Sequence, residues 1–428
     1  MVSLRFAALA FAISTVAAKP KATAPASSSV APVAATTAPA AASFTPVPGA
    51  QFPNNWNWQH QYPPLFDKAG AWAIPPIDSP QAKQWIAAVN MSAIPNAPVI
   101  KWDANGNPIN PFGNANPFCD WTFDGVCTRP GDVVYCPQKG VWGLSFDDGP
   151  TPYGSQLYDF LATENLKASL FYIGIQVAQN PQVAAKGCAA GHHISIHTWS
   201  HHVLTSLTTE QIIVELKWTE TIIKEVCGIT PKYFRPPQGD YDDRVRAIAA
   251  QLGYTAIIWD LDTNDWMFGN PGSTLTTAQE DGNFTLWINQ EPTDTHGHIV
   301  LEHELSQTSV DEAKKNIPRL QSVYTVMPVA SCIKDPHPYL EQDVFFPIMG
   351  PTGQLVWTNT TVAPVSGNST TPAAVNGTSP SGTLGNSSVV TSSTGTTATA
   401  AAASTAHRVY AAEALFAVAA IVAIAMAF

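Results

Sequence analysis

The chain has 428 residues, a formal net charge of -11 and only 12% charged residues. No basic run accompanies that acidic balance, which argues against nucleic acid or an anionic lipid surface as its partner. The six cysteines are even in number and suit three disulfides in an oxidising compartment.

Residues 1–18 read as a secretory signal peptide. Arg5 precedes an apolar run at 6–16, and the small residues Ala17 and Ala18 suit a signal peptidase. The run is too short to span a bilayer; a buried core strand is the alternative. Residues 19–47 are an Ala, Pro, Ser and Thr spacer that cannot bury a core and is expected to be disordered. Residues 48–135 are rich in Trp, Asn, Pro and Gly. They are expected to form an extension packed on the main domain, with a helix at 80–89.

From 136 to 335 short apolar segments alternate with amphipathic ones. Strands are predicted at 143–146, 168–173, 193–196, 233–235, 255–259 and 298–302, and helices at 155–164, 209–227, 243–252 and 309–324. The helix at 209–227 opens at Thr208 with Gln211 three residues on, a capping start. Such alternation implies an α/β fold with a largely parallel sheet, whose functional groups gather at the carboxyl ends of the strands.

Residues 336–357 are a C-terminal extension, and 358–408 a Ser/Thr-rich, glycosylated stalk. The tail at 409–428 includes an uncharged apolar stretch, 414–428, behind a spacer containing His407, Arg408 and Glu413. That is the pattern of a GPI-anchor signal, removed on attachment. A tail-anchored transmembrane helix is the alternative, for which the stretch is short. Sequons lie at Asn90, Asn283, Asn359, Asn368, Asn376 and Asn386. The expected location is a eukaryotic cell surface: secreted, then held at the plasma membrane and cell wall.

Five clusters follow predicted strands: Ser145-Phe146-Asp147-Asp148, His197-Thr198-Trp199-Ser200-His201, Arg235-Pro236-Pro237-Gln238, Asp262-Thr263-Asn264-Asp265-Trp266, and Val300-Leu301-Glu302-His303. Adjacent carboxylates at a strand end point different ways, so one can bind a metal while its neighbour serves as a base; an Asp-Gly-Pro turn is the bland alternative. Histidines at i and i+4 lie on one face of a helical turn and reach one ion. Two His and one carboxylate leave a metal position open, as catalytic zinc requires. An Arg before Pro-Pro is rigid and can orient a carboxylate. A His ending an apolar strand can serve as a general acid near neutral pH.

In order and placement these clusters resemble the five motifs of the carbohydrate esterase family 4 polysaccharide deacetylases, the NodB-type domain, over residues 136–335. The resemblance implies a distorted, incomplete (β/α) barrel. It also implies that Asp148, His197 and His201 hold one divalent metal, Zn²⁺ with Co²⁺ as the substitute. Asp147 would be the general base oriented by Arg235, and His303 the general acid held by Asp265. Trp266 and Leu301 would line the acetyl pocket, and the Gln238 backbone N–H would hold the oxyanion. Gln238 replaces the family's usual Tyr; Val300 stands where Leu is common.

Within that family an anchored eukaryotic chain points to chitin, N-acetylglucosamine polymer converted to glucosamine with release of acetate, and to a monomer acting on wall polysaccharide. Acetyl-xylan esterase and a non-catalytic chitin-binding wall protein are the rival readings. Trp199 and Tyr241, with Trp142, are candidates to stack on sugar faces, the alternative being core packing. Cys136–Cys332, Cys188–Cys227 and Cys119–Cys127 are the expected disulfides among 15 connectivities.

Overall fold

The computed structural model describes residues 56–357, apart from 105, 106, 114, 271, 351 and 352. The signal peptide, spacer, stalk, anchor signal and four of the sequons named above therefore lie outside the described residues.

Helix α1 (Pro80–Ala88) and an antiparallel pair, β1 (Lys101–Trp102) and β2 (Pro108–Ile109), precede the main sheet. Strand β3 (Val141–Gly149) then leads into α2 (Gly154–Thr163), β4 (Ser169–Tyr172), α3 (Gly174–Gln179), α4 (Pro181–Ala189) and β5 (His193–Ile196). The long α5 (Thr209–Cys227) is followed by β6 (Tyr233–Phe234), α6 (Asp243–Leu252), β7 (Thr255–Ala256) and β8 (Leu261–Asp262). Then come α7 (Thr277–Gln290), β9 (His298–His303), α8 (Gln307–Gln321), β10 (Thr325–Pro328) and α9 (Val329–Cys332), with a closing pair, β11 (Ile348–Met349) and β12 (Leu355–Val356).

The sheet runs β7-β6-β5-β4-β3-β9-β8, every neighbouring pair parallel. Strand β10 pairs with residues 141–144 of β3, and β4 takes over from Ser145. The two ends of this path, β7 and β8, belong to one segment. Ile257 N–H bonds to Phe234 O at 2.9 Å on one side, and Asp260 N–H to Ile299 O at 3.1 Å on the other. The sheet thus curls into an α/β barrel that one short irregular strand leaves distorted and incomplete. All nine residues of β3 are buried, as a central parallel strand covered on both faces must be.

Local chemistry explains the helix ends. Helix α5 starts with a capping box between Thr208 and Gln211 and stops at Gly228, whose φ of 76° a side chain would resist. Helix α8 begins two residues earlier than its apolar pattern suggests, because Ser306 and Ser309 cap each other. The pattern missed α7, where only Glu280, Phe284 and Trp287 are buried. It also missed β10, four residues ending in Pro. The strand expected at 255–259 is only two residues of ladder, because at Ile257 its partner becomes Val133 from the preceding segment.

The segment from 56 to 135 lies against the barrel. Trp85 of α1 meets Trp218 of α5 edge to face at 4.9 Å, and Tyr62 stacks on Trp199 at 5.8 Å. The cysteines pair as Cys119–Cys127, Cys136–Cys332 and Cys188–Cys227.

Candidate active site

The side chains of the five clusters stand at the carboxyl ends of β3, β5, β6, β8 and β9. Strands β3 and β9 are in register with Asp147 opposite His303, so the two are direct neighbours across a parallel pair. Regular alternation would turn Asp148 to the far face. A register shift between Asp147 and Gly149, with Asp148 at φ 68°, instead brings both carboxylates to the same site. This corrects the expectation that the neighbouring carboxylates diverge.

The His197/His201 pair does not lie on a helical turn. Residues 197–201 form a loop in which Thr198 (φ 64°) and His201 (φ 57°) are left-handed. That loop aims both Nε2 atoms at Asp148 Oδ1, at 3.3 and 3.1 Å. The three groups form a ligand set, and Asp148 Oδ1 is buried with no hydrogen-bond donor of its own. His197 Nδ1 is 2.7 Å from Arg235 O, where it must donate, so Nε2 is the nitrogen that faces Asp148 and a metal. Two imidazole nitrogens and a carboxylate oxygen fit a divalent transition metal. Burial favours the neutral form of Asp148, but the imidazoles of His201 and His197 outweigh it and hold the group well below the usual carboxylate range.

Asp147 is clamped through one oxygen. Arg235 Nη1 donates to Oδ1 at 2.6 Å, leaving Oδ2 3.6 Å from His197 Nε2. The guanidinium is fully buried and otherwise satisfied by Ser145 Oγ, Ile258 O and Ile257 O at 3.0, 3.1 and 3.2 Å. Its plane lies over Phe171 with Cζ 4.0 Å from the ring centroid.

His303 is held as firmly. Its Nδ1 lies 2.6 Å from Asp265 Oδ1, and its backbone N–H donates to Asp265 Oδ2 at 2.8 Å. Burial disfavours the charged ring, yet Asp265, with Asp148 and Asp147 behind it, lifts His303 to about 10. The proton on Nδ1 belongs to the Asp265 bond, so Nε2 carries the one available for transfer.

Residues 135–257 match the family model for polysaccharide deacetylase. Among curated proteins the chain is 43% identical over 250 residues to chitin deacetylase 1 of Cryptococcus neoformans var. grubii, covering 56% of this chain and 52% of that one. It is 41% identical over 266 residues to the chitin deacetylase of Amylomyces rouxii, covering 59% and 62% respectively. The chain thus spans about half to three-fifths of these relatives' lengths. A solved chitin deacetylase from Colletotrichum lindemuthianum is 28% identical, covers 49% of this chain and 94% of its own, and has a TM-score of 0.44.

The acetyl-pocket candidates are Leu301, buried, and Trp266, half-buried; Gln238 is exposed with φ 57°. Three sugar-stacking candidates are corrected. Trp199 is 0% exposed, covered by Tyr62. Tyr241 is also 0% exposed, with the Arg246 guanidinium 3.9 Å from its ring centroid. Trp142 is buried against Trp287 and Tyr324. All three are packed in the core.

Sequence reasoning overlooked Glu215. Its carboxylate accepts the Trp199 and Ser200 N–H groups at 2.8 and 2.9 Å and the Ser200 hydroxyl, fixing the loop that carries His197 and His201. Burial pushes it up to about 7. The signal was present, because Glu215 is a carboxylate on the apolar face of α5. A second ligand-type group, Asp260, His296 and His298, lies at the opposite end of β9. There Asp260 and Asp294 already take both His298 ring nitrogens, at 2.6 and 3.0 Å.

Proposed function

We propose that the protein is a metal-dependent chitin deacetylase, hydrolysing N-acetyl groups of N-acetylglucosamine polymer to give glucosamine units and acetate. One observation carries this reading: the Asp148–His197–His201 ligand set lies beside both a carboxylate clamped by Arg235 and an imidazole clamped by Asp265. Amide hydrolysis needs a base for water on one side and an acid for the leaving nitrogen on the other.

A divalent ion held by Asp148, His197 and His201, Zn²⁺ being the first choice, supplies Lewis acidity to the acetyl carbonyl and to a water. Asp147 takes the water's proton at Oδ2, since Oδ1 is fixed by Arg235. His303 delivers a proton from Nε2 to the nitrogen while Nδ1–H stays on Asp265, which holds the ring's orientation. The Gln238 N–H supplies a donor for the developing oxyanion. Trp266 and Leu301 enclose the methyl group.

The likeness to curated chitin deacetylases supports the substrate class. The three disulfides support an oxidising compartment. With the leader and tail patterns, this favours a secreted protein attached to the plasma membrane by a GPI anchor and working on the wall. No helix among the described residues is long and apolar enough to cross a membrane.

The deciding experiment measures acetate release from N-acetylglucosamine oligomers and, in parallel, from acetyl-xylan. The protein is tested as purified, after chelation, after zinc is restored, and as Asp147→Asn. Release from the amide substrate that follows the metal and fails in the variant is expected. Release confined to acetyl-xylan would instead make the protein an esterase. No release from either substrate by folded, zinc-loaded protein would point to a binding role.

A further inference from the structure

Residues 118–127 form a knuckle outside the barrel, closed by Cys119–Cys127. Its interior is organised by Asp120, whose Oδ1 accepts the Thr122 and Phe123 N–H groups at 2.9 and 3.0 Å and the Thr122 hydroxyl at 2.7 Å. The outward bonds of the knuckle converge on residues 240–246. Trp121 N–H donates to Tyr241 O at 3.1 Å, and Asp243 N–H donates to Phe118 O at 2.8 Å. Thr122 Oγ1 also lies 2.8 Å from Asp240 Oδ2, so its one proton is shared between the two carboxylates, and Arg246 donates to Cys119 O and Cys127 O at 2.6 and 3.0 Å.

The segment it grips follows directly on the third cluster. Gln238 and Gly239 are successive left-handed residues, with φ of 57° and 69°. For Gln238 that conformation is costly, and it persists only where the surroundings impose it. The loop's own bonds, Gly239 N–H to Pro236 O and Asp240 N–H to Pro237 O, are local. From outside, Thr205 N–H and Oγ1 bond to Asp240 Oδ1, and at Gly239 itself the constraint is Trp121. A β-carbon on Gly239 would stand 2.4 Å from Trp121 Cζ3 and 3.0 Å from Trp259 Cη2. Trp121 meets Trp259 edge to face at 5.0 Å, and the Arg235 guanidinium lies 5.5 Å from the Trp259 ring. One indole therefore backs both the backbone beside the oxyanion donor and the ring beside the arginine that orients the base.

We infer that the 118–127 knuckle is part of the catalytic apparatus, with Trp121 a positioning residue that sets the Gln238 N–H and, through Trp259, Arg235. This inference rests on the deacetylase reading for its consequence in rate. Its consequence in structure, a loop held by Trp121, can be measured without substrate.

The test compares wild type, Trp121→Ala, Trp121→Phe and Gly239→Ala as full-length, zinc-loaded proteins. Trp85→Ala serves as a control elsewhere in the extension. Bound zinc is measured first and should be unchanged in all. With N-acetylglucosamine oligomers, Trp121→Ala should lower kcat about 10- to 100-fold with little change in KM, a part of what losing one oxyanion donor costs. Trp121→Phe should recover most of that loss. Gly239→Ala, which drives a methyl group into the indole, should reproduce it, and Trp85→Ala should lower Tm but not kcat. Hydrogen exchange of the peptide covering 236–241 should accelerate in Trp121→Ala and Gly239→Ala alone. A folded Trp121→Ala with wild-type kcat, or with unchanged exchange at 236–241, overturns the inference. If Trp121→Ala does not fold, Gly239→Ala decides by the same two readouts. A wild type that releases no acetate defeats the deacetylase reading, and the exchange measurement still settles whether Trp121 holds the loop.

Discussion

The two halves of the site are built differently. The acid–base half rests on strands: Asp147 and His303 face each other across a registered parallel pair, each fixed by one buried partner of opposite charge. The proposed metal and oxyanion half, apart from Asp148 at the bulged end of β3, rests on loops, where Thr198, His201, Gln238 and Gly239 all take left-handed backbone. Strand geometry comes with the sheet. Loop geometry of this kind has to be imposed, here by Glu215 from α5 and by Trp121 from outside the barrel. Damage to the first half should therefore alter chemistry at a fixed structure, whereas damage to the second should alter structure first.

The largest effect is expected from the base. Asp147→Asn should reduce kcat by about 10³-fold or more with metal content unchanged, measured by acetate release beside metal analysis; loss of metal from this variant would merge the two halves. His201→Ala should fail in the opposite order, losing the ion and activity together, with partial return at high zinc. Next comes Asp265→Asn. The His303 proton is present below its folded value and lost as pH rises through about 10. Removing the carboxylate that raises that value, while burial remains, must lower it. The alkaline limb of kcat against pH should move to lower pH, with kcat at neutral pH down about 10- to 100-fold; an unmoved limb would show that Asp265 does not set the acid. Glu215→Ala should weaken zinc binding about 10- to 100-fold by releasing the loop, read by competition with a chelator. The smallest effect belongs to Trp199→Phe. It should cost about 1–3 kcal/mol in stability at the Tyr62 stack and leave KM for oligomers unchanged, whereas a sugar platform would raise KM.

Much of the strand-borne half was legible in the sequence. The apolar runs that end in Asp147 and His303 mark buried strands, and the residue types at their ends state their chemistry. The loop-borne half was legible only in its residue types. The spacing of His197 and His201 suggested a helical turn, and nothing local announces the left-handed residues, because the group that stabilises them, Glu215, arrives from a helix. The aromatic candidates failed for a related reason. Whether Trp199 is a platform or core depends on Tyr62, more than a hundred residues away, which covers it. Aromatic rings carry so much apolar surface that burial is their ordinary fate.

The Cys136–Cys332 bond has a mechanical consequence. It joins residues 196 apart in sequence, just ahead of the first barrel strand and at the end of the last helix on it. Tension between the two chain ends passes from Cys136 to Cys332 through covalent sulfur and bypasses every residue between them. All the reacting groups lie within that bypassed stretch. A load applied between the two chain ends can strip away the flanking segments, but it cannot draw out the strands between Cys136 and Cys332 until the bond itself is reduced.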